Sequence, residues 1–298
     1  MQQTERTILA LGFFDGVHVG HAALLRRAKE RAAEQGIGCA VMTFDLHPDV
    51  LVRGVPVILI NSAVDRALIL RRDFGIERIH YFHFTQESAA MDWRAFLDYA
   101  VREYGAAGFV VGHDFHFGYR GLGDPDKLRQ YCDEHGMSCD VIPAVTALGG
   151  IVSSTRIREL LLAGEIEQAN TLLGHAQLLS GTVEHGLRNG RAMEFPTLNL
   201  RFPKHVLIPR HGVYATRAVL PDGSVQPGVT NVGVRPTFGG SGDVTAETYL
   251  LDFSGDLYER EVTVEFLKFL RPEQTFASPD ELKAQIRKDA EAARDVAN

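Results

Sequence analysis

Apolar positions in the first half of the chain alternate between short continuous runs and runs with helical spacing. The continuous runs predict buried strands at residues 7–14, 38–44, 78–84, 109–111 and 138–142. Helical spacing predicts helices at residues 22–34, 62–74, 93–104 and 126–134, and Gly36 and Gly75 end the first two. Strands that alternate with helices in this way form βαβ units, so we expect a Rossmann-like α/β domain with a parallel sheet. Ligands of such sheets lie at the carboxyl ends of the strands.

The pattern changes after a short helix that ends at Gly174. Segments of β type follow around residue 183 and at residues 213–219, 226–234, 245–253 and 261–269, with turn sequences at 221–223 and 254–256. Short strands joined by such turns predict a small antiparallel β-barrel. Ser278, Pro279 and Glu281 form a capping box that begins a final helix. We therefore expect two domains, residues 1–178 and residues 179–298.

Composition and charge narrow the classes of partner. The 298-residue chain is 45% hydrophobic and 23% charged, which is typical of ordinary globular domains. A formal net charge of -7 argues against nucleic-acid binding, whereas a local basic pocket for a small phosphorylated ligand is compatible with it. Three cysteines without metal-binding spacing, and no apolar leader or membrane-length apolar run, predict a cytoplasmic protein without a membrane partner. The sequence does not predict an oligomeric state.

The most informative stretch is residues 9–25, LALGFFDGVHVGHAALL, which passes from a strand through a glycine-rich turn into a helix. It places His18 and His21 at the start of that helix, where side chains three residues apart share one face. Free backbone N–H groups and the helix dipole favour an anion there, and Gly16 and Gly20 let a ligand approach the main chain. The pattern indicates a phosphate site, although such a histidine pair also occurs in structural roles and in weak metal sites.

Three further polar clusters follow predicted strands or begin a helix. His47 lies in TFDLHP (residues 43–48) after the second strand, and Asp114 lies in GHDFHFG (residues 112–118) after a later one. Each either contacts a nucleotide or substrate, or holds its own turn. Residues 153–158, SSTRIR, place hydroxyl groups and two arginines at a helix start. Hydroxyl groups alone would indicate a cap, whereas the two arginines favour binding of a polyphosphate through charge-assisted hydrogen bonds.

Together, G-x-F-D-G-V-H-x-G-H (residues 12–21) and SSTRIR resemble the HxGH nucleotidyltransferases, specifically the adenylyltransferase half of the bifunctional riboflavin kinase/FMN adenylyltransferases. The resemblance implies that the phosphate of FMN attacks the α-phosphate of ATP and that pyrophosphate leaves. It makes His18 and His21 the catalytic residues, as donors to the reacting phosphate rather than obligatory bases. It assigns cofactor and substrate binding to Gly12, Phe14, Asp15, Gly16, His47, Asp114, Ser154, Thr155, Arg156 and Arg158. Leu46 stands where the family usually has proline.

The second half resembles riboflavin kinase. The segments that carry the resemblance are residues 190–199, 228–233, 235–238 and 247–253, which follow one another in the order of the family. The resemblance implies that Thr197 and Asn199 hold Mg²⁺ and an ATP phosphate, and that Glu247 is the catalytic base for riboflavin. Strand alternation alone favours the other interpretation, in which Glu247 is a charged strand residue that faces solvent.

Two glutamates depart from the kinase pattern, because Glu194 and Glu259 stand where the family has glycine. If the backbone there is left-handed, a glutamate adds about 1–2 kcal/mol of strain, and its charge repels phosphate. Beside a bifunctional enzyme that makes FMN and FAD, three alternatives remain. They are a nucleotidyltransferase with an inactive or altered kinase-like domain, one with another phosphorylated acceptor, and a non-catalytic flavin-binding regulator.

Overall fold

The computed structural model describes residues 5–45, 47–52, 54–184, 197–234 and 243–297. Contacts divide the chain into an N-terminal unit, residues 1–58 and 66–153, and a C-terminal unit, residues 59–65 and 154–298. This division lies upstream of the predicted boundary at residue 178, because a helix at residues 166–173 packs on the C-terminal sheet. Leu46, Glu194 and the motif residues 190–196 and 235–238 lie outside the described residues.

The N-terminal unit is a parallel sheet with helices. Its elements are β1 (Thr7–Leu11), α1 (Val19–Gln35), β2 (Gly38–Phe44), α2 (Pro48–Val52), α3 (Ala63–Phe74, whose first three residues belong to the other unit), β3 (Arg78–Phe82), α4 (Gln86–Ala89), α5 (Trp93–Tyr104), β4 (Ala106–Gly112), α6 (Pro125–His135), β5 (Ser138–Ile142), β6 (Thr146–Ala147) and β7 (Gly150–Ile151). The main sheet has the order β3-β2-β1-β4-β5 and every pairing in it is parallel. The predicted Rossmann-like sheet is therefore confirmed.

Two strands are shorter than the apolar runs that predict them. β1 ends at Leu11 because Phe14 has a left-handed backbone (φ 58°, ψ 33°), which a strand does not accommodate. β3 ends at Phe82, and the backbone N–H of Phe84 donates to the carboxylate of Asp45 at 3.0 Å instead of to a neighbouring strand. The turns after β1, β2 and β4 thus leave the same edge of the sheet.

The C-terminal unit is mainly antiparallel. Its elements are α7 (Ser154–Ala163), α8 (Ile166–Leu173), β8 (Gln177–Thr182), β9 (Thr197–Arg201), β10 (Gly212–Val219), β11 (Val225–Val234), β12 (Val244–Leu250), β13 (Glu261–Arg271) and α9 (Pro279–Ala297). The sheet order is β8-β13-β10-β11-β12-β9, and a bridge between Glu184 and Asn199 joins its two edges. The predicted small barrel is confirmed as a curled six-stranded sheet followed by a helix. No helix in the described ranges is long and apolar enough to cross a membrane.

One buried face of this sheet carries a row of threonine hydroxyl groups. Thr216, Thr230 and Thr248 lie on three adjacent strands and have no exposed surface. The Oγ1 atoms of Thr216 and Thr230 are 2.8 Å apart, and those of Thr230 and Thr248 are 2.7 Å apart, so each hydroxyl group has a partner. Because a buried hydroxyl group is stable only when it is paired, the row favours one register of β10, β11 and β12.

Residues 59–65 form a strap that belongs to the C-terminal unit although it precedes most of the N-terminal sheet. The backbone of Leu59 pairs with the segment around Val206, donating to the carbonyl oxygen of His205 at 2.8 Å. Asp65 accepts the backbone N–H of Ser180 at 3.0 Å and the hydroxyl of Ser62 at 2.8 Å. Burial raises the pKa of Asp65, and these donors oppose that rise. The apolar spacing predicts the helix that begins here but not the strap.

A buried ion pair fixes α9 to the sheet. The guanidinium of Arg271, at the end of β13, contacts both carboxylate oxygens of Asp289 on α9, with the shortest distance 2.7 Å. The side chains of Arg271 and Asp289 are only 15% and 6% exposed. Gln285 donates to the same carboxylate at 2.9 Å. Removal of one charge from such a pair leaves the other buried without compensation.

We expect Asp289→Ala to lower the free energy of unfolding of the C-terminal unit by about 3–5 kcal/mol. The matched control is Arg294→Ala, because Arg294 of α9 also pairs with an aspartate, Asp252, whose side chain is 77% exposed. That variant should lose less than about 1 kcal/mol. Urea denaturation of the full chain followed by far-UV circular dichroism measures both, and equal losses would contradict the role of the buried pair.

Candidate active sites

The turn between β1 and α1 has an unusual backbone. Phe14 (φ 58°), Gly16 (φ 78°) and Val17 (φ 41°) all have positive φ angles. A positive φ is unfavourable for a bulky or β-branched residue, so packing must hold the turn in place. Phe14 and Val17 are fully buried, which supplies that packing. Of the predicted ligand residues, Gly12, Phe14, Asp15 and Gly16 are brought together here, and Asp15 is 4% exposed.

The turn positions two histidines side by side at the start of α1. The rings of His18 and His21 are stacked, with centroids 3.7 Å apart and planes 16° apart. His18 is the N-cap residue, and its Nδ1 accepts the backbone N–H of His21 at 3.4 Å, which leaves the proton of the neutral ring on Nε2. A Cβ atom at Gly20 would lie 3.0 Å from the His18 ring, so a larger residue there would displace the ring by a few tenths of an ångström. The predicted histidine pair therefore faces one site.

His21 is neutral in the free protein near pH 7. Its pKa lies well below the ordinary value of 6.5, first because of burial and then because of the charges of His18 and Arg66. Its Nδ1 atom is enclosed and has no hydrogen-bond partner among the described residues. The phenyl ring of Phe14 lies against the His21 ring, with centroids 5.1 Å apart. A neutral imidazole in this position donates one N–H to a ligand.

Arg66 is a candidate that the sequence analysis did not identify. It lies on α3, is 1% exposed, and its guanidinium lies over the ring of Phe13 at 4.7 Å. Its Nη2 donates to the carbonyl oxygen of Phe44, the last residue of β2, at 3.1 Å. A signal was present in the sequence, because Arg66 shares a helix face with the fully buried Ile69 and Leu70.

His47 and Asp114 have different surroundings at the same edge of the sheet. The ring of His47 contacts the ring of Phe13 edge-on, with centroids 4.6 Å apart, and its Nδ1 accepts the backbone N–H of Asp49 at 3.2 Å. His47 thus holds its own turn and also lies beside the glycine-rich turn. The side chain of Asp114 is 82% exposed after β4, with one carboxylate oxygen 3.9 Å from Nδ1 of His113. It is accessible to a ligand.

The SSTRIR segment begins α7 in the C-terminal unit, as its hydroxyl groups predict. Ile157 is buried under the helix, Thr155 is exposed, and Ser154, Arg156 and Arg158 are partly exposed. Each of the two arginines is therefore partly accessible, as binding of a polyphosphate requires.

The predicted kinase residues meet on adjacent strands. Glu247 on β12 is directly opposite Asn199 on β9, and Tyr249 is opposite Thr197. The Thr197 hydroxyl donates to Oε1 of Glu247 at 2.9 Å. Asn199 is 3% exposed, whereas Glu247 is exposed, so the carboxylate is oriented by threonine and also accessible. The structure thus gives Glu247 a positioned carboxylate that strand alternation alone did not reveal.

Beside these residues lies a cavity of about 170 Å³. Its lining residues are Val183, Thr197, Leu198, Leu250 and residues 253–258. The next residue, Glu259, has a left-handed backbone (φ 62°), and its N–H donates to the carbonyl oxygen of Val183 at 3.0 Å. The position where the family has glycine therefore does require a positive φ. A second carboxylate that sequence reasoning missed is Glu273, which accepts Nδ2 of Asn231 at 3.2 Å, and Asn231 is opposite Glu247.

The donors in the C-terminal unit suit a magnesium ion better than a softer metal. Within the described ranges no three His, Cys, Asp or Glu side chains are grouped so that they could hold a metal ion. Mg²⁺ does not need such a group, because it takes one or two protein oxygens together with water and substrate phosphates. Thr197, Asn199 and Glu247 present oxygen atoms of this kind on neighbouring strands.

Known proteins resemble both halves of the chain. A family model described as FAD synthetase matches residues 1–156, and one described as riboflavin kinase matches residues 173–297. Three curated relatives named bifunctional riboflavin kinase/FMN adenylyltransferase are similar over nearly their whole length. The relative from Pseudomonas fluorescens is 38% identical, and the match covers 97% of this chain and 93% of that protein. The relative from Escherichia coli K12 is 35% identical, with 98% and 93% covered. The relative from Listeria monocytogenes is 34% identical, with 96% and 91% covered.

A solved structure shares the fold. The crystal structure of a protein named macrolide-efflux protein from Streptococcus pneumoniae is 28% identical, with a TM-score of 0.85, and the match covers 99% of this chain and 95% of that one. Both family models and the near-complete coverage of the relatives lead to one assignment. The chain belongs to the family of bifunctional riboflavin kinase/FMN adenylyltransferases.

Proposed function

We propose that this protein phosphorylates riboflavin to FMN and adenylylates FMN to FAD, with ATP as the second substrate of both reactions. The observation that carries the proposal is that the motif residues of each activity meet in space. His18 and His21 stack at a helix start, and Thr197 donates to Glu247 beside a cavity. We keep residues 1–178 and 179–298 as the extents of the two catalytic domains, and the cytoplasm as the location.

The adenylyl transfer needs positioned donors more than it needs a base. An oxygen of the FMN phosphate attacks the α-phosphorus of ATP, the bond from that phosphorus to the β-bridging oxygen breaks, and pyrophosphate leaves. Negative charge develops on the oxygens of the transferring phosphorus, where Nε2–H of His18, the N–H of neutral His21 and the amides of α1 stabilise it. The resemblance assigns the departing phosphates to Ser154, Thr155, Arg156 and Arg158.

The kinase reaction needs a base. A primary hydroxyl of riboflavin is a poor nucleophile, so Glu247 accepts its proton as the oxygen bonds to the γ-phosphorus and ADP leaves. The hydrogen bond from Thr197 holds one carboxylate oxygen and leaves the other for the substrate. Mg²⁺ held by Thr197 and Asn199 would neutralise phosphate charge.

The alternatives receive less support. Glu259 has the strained backbone that motivates an inactive kinase, but the Thr197–Glu247 pair and the cavity beside it are intact. A regulator that only binds flavin has no need of a base beside a nucleotide cavity. Efflux, from the name of the similar solved structure, has no support from either family model.

We expect His21→Ala to lower the turnover number for FMN adenylylation about 100- to 1,000-fold, because one preorganised donor to the developing charge is lost. Riboflavin phosphorylation by the same protein should be unchanged. The control is His135→Ala, since His135 is another histidine of the N-terminal unit stacked on an aromatic ring, Tyr131, with centroids 4.1 Å apart. Chromatographic assays of FAD and FMN measure both activities, and equal loss in the control would contradict the role of His21.

We expect Glu247→Gln to impair the kinase activity and to spare the adenylyltransferase activity. Riboflavin phosphorylation should fall about 100- to 10,000-fold because the base is lost, while FMN adenylylation persists. The matched control is Glu261→Gln, whose carboxylate also accepts a threonine hydroxyl, that of Thr182, across two adjacent strands. Full kinase activity in Glu247→Gln would show that another group accepts the proton.

The lowered pKa of His21 predicts the pH dependence of adenylylation. The free protein already holds His21 neutral at pH 6.5 and above, so raising the pH removes no proton from it. We therefore expect kcat/KM for ATP, which reports on the free enzyme, to stay level between about pH 7 and 8.5. A decline of about tenfold per pH unit above pH 7 would show that the reaction needs a cationic histidine.

We expect Glu259→Gly to raise the free energy of unfolding of the C-terminal unit by about 1 kcal/mol, because glycine adopts φ 62° without strain. Riboflavin phosphorylation should be no lower than in the unmodified protein. Glu261→Gly is the control with the opposite sign, since β13 is extended there and glycine weakens a strand. Urea denaturation distinguishes the two, and a loss of stability in Glu259→Gly would contradict the strain.

A further inference from the structure

Arg66 is a buried cation at the edge of the sheet where the predicted phosphate site lies. Phe13, which its guanidinium covers, belongs to the glycine-rich turn, and Phe44, whose carbonyl oxygen it contacts, ends β2. The ring of Phe13 also touches His47. Arg66 therefore lies among residues of two loops that leave the carboxyl ends of β1 and β2.

The side chain has more donors than the protein satisfies. Among the described residues, Nη2 alone has a hydrogen-bond acceptor, the carbonyl oxygen of Phe44, whereas Nε and Nη1 are buried without one. Arg66 is 1% exposed, so solvent does not replace the missing partners. A buried guanidinium with unpaired N–H groups is unfavourable, and an arginine does not lose its proton in a protein to avoid this. Such a group is suited to a ligand that supplies acceptors.

The surrounding charges indicate the sign of that ligand. The charge of Arg66 is close enough to His21 to lower the pKa of that histidine. The pKa of Arg66 itself is lowered by burial, and the charges of Tyr81 and Asp15 oppose this by raising it. Among the described residues, the enclosed Nδ1 atom of His21 also has no hydrogen-bond partner. Arg66 and His21 thus both bring unsatisfied nitrogen atoms to the same turn. Oxygens of an anion are the partners that a guanidinium prefers.

We propose that Arg66 is a phosphate-binding residue of the adenylyltransferase site, and that its Nε and Nη1 groups donate to the oxygens of a substrate phosphate ester. This inference rests on the proposed function. The ester is either the phosphate of FMN or the polyphosphate of ATP, since both present the same non-bridging oxygens. Arg66 acts by binding and takes no proton in the reaction.

The test compares Arg66→Met and Arg66→Lys in the full chain. The methionine removes charge and donors at similar length, and the lysine keeps the charge but not the planar set of donors. The control is Arg71→Met, because Arg71 lies on the same helix and is exposed. For each protein, KM for FMN, KM for ATP, inhibition by inorganic pyrophosphate and the kinase rate are measured, together with calorimetric titration of pyrophosphate.

We expect one KM to rise about 10- to 100-fold in Arg66→Met, with the kinase rate and the Arg71→Met control unchanged. A rise in KM for FMN alone identifies the FMN phosphate as the ligand. A rise in KM for ATP with weaker pyrophosphate binding identifies the polyphosphate. Lysine should restore part of the binding.

Unchanged KM values and unchanged pyrophosphate binding in both variants would overturn the inference, as would a fall in turnover number alone. If Arg66→Met fails to fold, which a loss of helical signal in its far-UV circular dichroism spectrum would show, Arg66→Lys decides by the same criteria. An unmodified protein that makes no FAD would refute the proposed function, and calorimetric titrations of pyrophosphate and of FMN would still test Arg66 separately.

Discussion

The arrangement of the N-terminal site depends on the backbone of one turn. Phe14, Gly16 and Val17 have positive φ angles, and burial of Phe14 and Val17 in the core holds two bulky residues in that unfavourable region. The turn ends β1 three residues earlier than its apolar run does and places His18 at the N-cap of α1. As a result, two imidazole rings stack at the first turn of a helix. The core packing thus holds the strained turn, and the strained turn places the two histidines of the predicted anion site.

The C-terminal site depends on strand register instead. A shift of one residue between β9 and β12 would move Thr197, Asn199 or Glu247 to the opposite face of the sheet, because side chains alternate along a strand. The buried threonine row on β10, β11 and β12 and the ion pair between Arg271 and Asp289 favour the register and docking observed. The base of the proposed kinase reaction is therefore positioned by the core beneath it.

Local patterns in the sequence predicted much of this structure. Apolar runs and glycine positions gave the parallel sheet, and the motif around His18 and His21 gave the site at its edge. Contacts between distant segments were not predictable in the same way. The strap at residues 59–65 pairs with residues near 206, and no local periodicity indicates such a partner. Arg66 was overlooked because a charged residue on a helix is normally exposed, and only its spacing from Ile69 and Leu70 indicated burial. The sequence does not reveal that Glu259 has a left-handed backbone, because the φ angle of a residue in a turn depends on how the turn packs in the folded protein.

The central claim is that one chain carries both flavin chemistries. The most direct measurement is a chromatographic time course of the unmodified protein with ATP and magnesium, run separately on riboflavin and on FMN. We expect riboflavin to be converted to FMN and then to FAD, and FMN alone to be converted to FAD. Conversion of FMN with riboflavin left untouched would contradict the kinase half of the account, and no conversion of either flavin would contradict the whole of it.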